Sequence, residues 1–259
     1  MNDILKVAMI QTDVVWEQVT KNLTRFDKLI ESISNPVDLI IFPEMFTTGF
    51  SNHPEKLAEN MNGDTVNWMK EIALNKDSYL SGSIIIEEEN KFYNRFLFIA
   101  PDGTVQFYDK RHLFNIHDGE TQYCRGISRQ IFKMGEWNIC PQICYDLRFP
   151  VWYRNSGDYD ILINVANWPE ARCENWMTLL RARAIENMVY SIGVNRIGSD
   201  ANRISYVGES MAVNPKGEVL NEINPGFEGI IHVQLSREQL KILRKNFPVL
   251  QDADTFHLD

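Results

Sequence analysis

The sequence predicts a layered α/β fold, a sandwich of two sheets with helices on the outside. Three observations point to it. Short apolar runs rich in β-branched residues recur from one end of the chain to the other. Amphipathic helical stretches are interspersed among them in both halves. No Pro/Gly/Ser-rich linker, low-complexity tract or repeat with a period of roughly 20–50 residues interrupts the chain. Residues 1–259 therefore read as a single domain, and so many strands suit two stacked sheets better than one open sheet.

Each element has its own signal. ILKVAMIQT (4–12) is a buried strand, and Val19, Leu23, Phe26, Ile30 and Ile33 follow at spacings of three or four, one apolar helical stripe. DLIIFPE (38–44) is a second buried strand, and Val66, Met69 and Ile72 mark one face of the next helix. YLSGSIII (79–86) and NKFYNRFLFIA (90–100) are consecutive strands, and the turn Pro101-Asp102-Gly103 leads into the strand TVQFYDK. WNICPQICYD (137–146) and DILINVANW (160–168) open the second half. The helix 174–190 follows, with Met177, Leu180, Ala184 and Met188 along one face. YSIGVNRIG, ESMAVNP, EVLNEI and GIIHVQL read as four more strands, with Pro215-Lys216-Gly217 as a tight turn among them. A closing helix begins at a Ser236 N-cap with Glu238 close behind.

Composition narrows the class without naming a function. The apolar share of 44% and charged share of 24% are globular values, which excludes disorder. A net charge of −9 with no long basic run argues against nucleic acid and against an anionic membrane surface as partner. The first residues lack the layout of a signal peptide, and no apolar stretch approaches the length of a membrane span. Four cysteines (Cys124, Cys140, Cys144, Cys173) form no CxxC pair and the five histidines are scattered, so neither a metal site nor a disulfide framework is expected. The expectation is a soluble, reduced, cytoplasmic protein without a cofactor.

Chemistry is sought where buried strands stop at a reactive residue. Glu44 directly follows an apolar strand and a proline, which places a carboxylate at a sheet edge where it can serve as a base. Its bland reading is a solvated loop glutamate. Lys110 ends the strand VQFYDK and can offer a fixed positive charge to a developing oxyanion, although a surface lysine beside Arg111 is the simpler account. Cys144 ends another strand at a corner where amides and cations can hold a thiolate, so it can act as a nucleophile. A buried structural cysteine is the alternative, and it suits Cys140 and Cys173 better.

The three residues sit in distinctive words: FPEMFTTGF at 42–50, KRHLF at 110–114 and ICYDLRFP at 143–150. With Tyr93-Asn94, Gly119-Glu120, Ala166-Asn167-Trp168-Pro169 and Arg183-Ala184-Ile185-Glu186-Asn187, they make the chain resemble the nitrilase superfamily from about residue 5 to 250. These are carbon–nitrogen hydrolases with a Glu-Lys-Cys triad. The longer phrases PEMFTTGF, ANWP, GVNRIGSD and FPVLQDADTF are most similar to the ω-amidase branch, which acts on 2-oxoglutaramate.

The resemblance implies a four-layer α-β-β-α sandwich and a set of roles. Cys144 would be the nucleophile, Glu44 the general base, and Lys110 the oxyanion partner together with the backbone N–H of Tyr145. Glu120 would hold Lys110 and the substrate amide in place. A substrate carboxylate calls for an arginine, with Arg172 first and Arg148 second, and Trp168 and Phe46 would wall the pocket. Some family members carry an acid after the RFP word, where Val151 stands here. The helix 174–190 is apolar on a second side through Trp176, Leu179, Ile185 and Val189, and the family pairs protomers there, so a homodimer is expected.

Alternatives stay open at this point. The same triad would serve an aliphatic amidase, an N-carbamoyl amide hydrolase or a nitrilase. A Cys–His hydrolase would use His112 or His117 as base. A metabolite-binding homologue would keep the fold without the chemistry.

Overall fold

The computed structural model describes residues 3–114, 122–222 and 224–256. Its first half contains strands β1 (Ile4–Gln11), β2 (Leu39–Ile41), β3 (Tyr79–Glu88), β4 (Lys91–Ile99) and β5 (Val105–Asp109), with helices α1 (Val19–Glu31), α2 (Pro54–Leu57) and α3 (Asp64–Lys76) between them. The second half adds β6 (Phe132–Met134), β7 (Trp137–Ile143), β8 (Ile161–Ala166), α4 (Cys173–Asn187), β9 (Tyr190–Asn195), β10 (Ile197–Ser199), β11 (Ser205–Val207), β12 (Met211–Val213), β13 (Gly229–Ser236) and α5 (Arg237–Asn246).

Two sheets carry the fold. One has the order β13-β1-β2-β3-β4-β5 and the other β12-β9-β8-β7-β6, while β10 and β11 form a separate hairpin. Pairing is parallel in the middle of each sheet, at β1-β2-β3 and β7-β8-β9, and antiparallel toward the edges.

The layers follow from which side chains alternate where. Leu5, Val7 and Met9 of β1 meet Ile139, Ile163 and Val194 of the opposite sheet in one continuous core. Ala8 and Ile10, on the other face of β1, pack with Phe26 and Ile30 of α1 and Met69 of α3. β1 is thus buried on both faces, which is why its sequence reads as an unbroken apolar run. On the far side, Trp176, Leu180 and Ala184 of α4 cover Ala166, Met211 and Val213. The resulting order is helix, sheet, sheet, helix, the expected four-layer sandwich.

Most elements lie where the periodicity predicts them, and the departures have physical reasons. The strand expected at 38–44 ends at Ile41, because the chain turns at Pro43, which has no N–H to donate. EVLNEI forms only a single bridge, Val219 to Val213. β6, β10 and β11 are three residues long, too short to show a period. The closing helix is capped as expected, Ser236 Oγ accepting from Gln239 N at 3.2 Å. On α4 the second apolar side is thinner than the sequence suggests. Trp176 and Val189 are buried within this chain, and Ile185, 50% exposed, is left facing outward.

Among the described residues no helix is long and apolar enough to cross a membrane. Nor does any group of three or more His, Cys, Asp or Glu among them stand ready to hold a metal ion.

Candidate active site

The three strand ends converge. Glu44 follows β2 in a turn pinned by β3, where Ser83 Oγ accepts from Met45 N at 2.9 Å and Ser83 O from Phe46 N at 3.2 Å. The side chain of Asn22 on α1 donates to Thr47 O at 2.7 Å and steadies the same loop. Glu44 is fully buried, and its carboxylate is ringed by donors. Oε1 accepts from Lys110 Nζ at 2.6 Å and Asn94 Nδ2 at 2.8 Å. Oε2 accepts from the backbone N–H of Asn167 at 2.8 Å.

Lys110 emerges from β5 with its own N–H bonded to Asn94 O at 3.0 Å, and its side chain is buried. Burial alone would drive the ammonium toward neutrality. The charge and hydrogen bond of the Glu44 carboxylate oppose this, and Lys110 is held above its ordinary range and stays charged. Its Nζ lies 5.5 Å from the centre of the Phe50 ring.

Cys144 follows β7 and opens a 3-10 turn, Cys144–Arg148. Its backbone is left-handed, φ 45°, a conformation rarely kept by a residue other than glycine unless its surroundings impose it. They do. The buried Asp146 carboxylate accepts from Ile143 N at 3.1 Å, Tyr108 OH at 2.9 Å and His112 N at 2.9 Å, which locks the turn. Asn164 Nδ2 donates to Cys144 O at 3.4 Å from below. The thiol lies 3.9 Å from Asn167 O.

Burial pushes the Cys144 thiol well up, the Glu44 charge and a hydrogen bond to Glu44 add to this, and Lys110 opposes them. Cys144 therefore rests as a thiol. A thiol attacks only once a base takes its proton, and the Glu44 carboxylate lies within hydrogen-bond reach of it.

The other predicted residues divide. Glu120 and His117 lie outside the described residues. Phe46 was expected to wall the pocket, but it is fully buried, stacked on Phe42 at 4.7 Å and edge-on to Phe26 at 5.2 Å. Phe50, from the same word, is the aromatic beside Lys110. Trp168 is buried, its Nε1 bonded to Arg172 O at 2.7 Å and its face covered by the Arg148 guanidinium at 4.8 Å. Arg172 lies 5.7 Å from the ring of Phe114, which in turn packs on Tyr145 at 5.0 Å. Among the described residues neither arginine has a carboxylate partner. Asp146, the nearest acid in sequence to Arg148, is engaged with His112 instead.

That engagement also occupies His112. Its Nδ1 sits 2.8 Å from Asp146 Oδ1 and its ring stacks on Phe149 at 3.9 Å, an orientation that serves the turn. Sequence reasoning quoted Asn94 and Asn167 within their words but gave neither a role. Asp146 stands in the word ICYDLRFP, likewise without a role. The signal for the asparagines was their company, each a buried amide in a word shared with apolar residues.

A model of the carbon–nitrogen hydrolase family matches residues 6–245. The chain is 44% identical over 256 residues to omega-amidase YafV of Escherichia coli K12, covering 98% of each. It is 28% identical over 251 residues to 2-oxoglutaramate amidase of Bacillus subtilis 168, covering 95% of this chain and 96% of that one. Among solved structures, XC1258 of Xanthomonas campestris, a CN-hydrolase superfamily protein, superposes with a TM-score of 0.95 at 38% identity and covers both chains fully.

Proposed function

The chain belongs to the carbon–nitrogen hydrolase family, and on that premise we propose that it hydrolyses the ω-amide of 2-oxoglutaramate and similar dicarboxylic acid monoamides, giving the acid and ammonia. The observation that carries this reading is the meeting of the buried Glu44–Lys110 pair with the thiol of Cys144. The relatives named for this reaction support the substrate class.

In the reaction, Glu44 removes the thiol proton as Cys144 Sγ attacks the amide carbonyl. The negative charge that develops on the carbonyl oxygen is met by the Lys110 ammonium and the N–H of Tyr145. In a dry site these are worth far more than in water. The proton held by Glu44 passes to the departing nitrogen, ammonia leaves, and a thioester remains. Glu44 then activates water, and its attack releases the acid and restores the thiol. The guanidinium of Arg172, without an acid partner among the described residues, offers the substrate's α-carboxylate a bidentate partner, with Arg148 as the second candidate.

Ammonia release is measured from 2-oxoglutaramate beside glutamine, an aliphatic amide, a nitrile and an N-carbamoyl amino acid, with Cys144→Ala as control. Preference for 2-oxoglutaramate that disappears in the variant is the expected result. Preference for another member of the panel refutes the substrate, and turnover by Cys144→Ala refutes the nucleophile.

A further inference from the structure

The two oxygens of Glu44 are not equivalent. Oε1 receives Lys110 Nζ at 2.6 Å and Asn94 Nδ2 at 2.8 Å, which uses both of its in-plane lone pairs. Oε2 receives one good donor, the N–H of Asn167 at 2.8 Å, and a long contact of 3.4 Å from Asn167 Nδ2. The carbonyl of that same Asn167 lies 3.9 Å from Cys144 Sγ. The Cys144 thiol hydrogen-bonds this carboxylate, and of its two oxygens Oε2 has acceptor capacity to spare while Oε1 has none.

We infer that Asn94 is a positioning residue for the reaction: by filling Oε1 together with Lys110, it reserves Oε2 for the proton exchanged with Cys144. The inference rests on the reading of Glu44 as base and Cys144 as nucleophile. Two further observations support it. Asn94 holds both members of the pair, since its backbone carbonyl accepts from Lys110 N at 3.0 Å while its side chain donates to Glu44. Among the described residues its Oδ1 is buried without a partner, a loss of hydrogen bonding that folding alone would not favour.

Asn94 matters most at one moment. When the proton reaches Oε2, Glu44 becomes a neutral acid and the Lys110 ammonium is drawn to the oxyanion. The amide of Asn94 is then the donor that keeps Oε1, and with it the whole carboxyl group, in register with the leaving nitrogen. A small misplacement at that point is expensive, because proton transfer depends on the alignment of reacting atoms.

Asn94→Leu tests this, since it keeps roughly the same volume and removes the donor. On 2-oxoglutaramate we expect kcat to fall about 10- to 100-fold, the scale of a modest misalignment, with KM within about twofold and a Tm no lower than the parent's, because an unpartnered buried acceptor goes with it. Alkylation of Cys144 by iodoacetamide, followed by intact mass at neutral pH, should slow in parallel and needs no substrate. Parent-like kcat and alkylation in Asn94→Leu overturn the inference. So does a loss of activity that merely tracks a lower Tm. Glu44→Gln separates the underlying reading: if that variant keeps parental turnover and alkylation, the base is misassigned and both claims fall.

Discussion

Cys144 holds a left-handed backbone, φ 45°, of the kind that costs about 1–3 kcal/mol and persists only where its neighbours impose it. Asp146 imposes it through three donors from three parts of the chain, so the direction of the Cys144 thiol is set by a neighbouring carboxylate. Arg172 lies at the other end of the site with its guanidinium free of acids among the described residues. If it binds the substrate's α-carboxylate, Arg172→Ala should raise KM for 2-oxoglutaramate on the order of 10- to 100-fold, the loss of a bidentate charge pair, with a smaller change in kcat. An unchanged KM would pass the role to Arg148, and the same measurement on Arg148→Ala would decide it. Glu44, Lys110 and Cys144 were legible because each follows a readable strand end. Asn94 and Asn167 were not: an amide side chain has no pattern of its own, and Asn167 holds Glu44 through its peptide N–H as well as its side chain.

Among the elements, α3 shows how local structure is fixed from a distance. Its N-cap is Gly63, which has no side chain to satisfy the first amides, and Glu59 Oε2 accepts from Thr65 N at 2.9 Å instead. Gly63 is needed for close approach, since a Cβ there would stand 2.3 Å from that oxygen. Burial raises the Glu59 pKa, and the Thr65 hydrogen bond only partly opposes it. A carboxyl raised on folding binds its proton more tightly in the native state. Its ionisation therefore penalises stability above the raised pKa, and the penalty disappears below the ordinary 4.5. Glu59→Gln keeps an acceptor without the charge, so its Tm should exceed the parent's at pH 7 and converge with it as the pH falls toward 4. Glu59→Ala loses the cap, about 1 kcal/mol, or roughly 2–4 °C of Tm. A Glu59→Gln protein less stable than the parent at pH 7 would contradict the sign. Long strands bounded by turns were readable at this scale. Three-residue strands such as Ser205–Val207 were not, because their existence depends on a partner the local sequence does not name.

Over the whole molecule, the number of strands foretold two sheets, but nothing local foretold which strands are neighbours. The parallel centres of both sheets and the return of β13 to the side of β1 are tertiary facts. The site is divided accordingly: Glu44 and Lys110 come from the first sheet, Cys144 from the second, and Asn167 joins them across the gap. β1 pairs along its full length with β13, from Ile4 opposite Ser236 to Gln11 opposite Gly229. The ribosome therefore releases the first strand long before its neighbour exists. At about 5–20 residues per second, that edge waits on the order of ten seconds or more with its amides unpaired. The nascent chain must be shielded over that interval, and a message cut short of codon 229 should yield aggregate whatever the state of its triad. A chain ending at residue 228 that stays soluble and monomeric would show that the opening strand can guard its own edge.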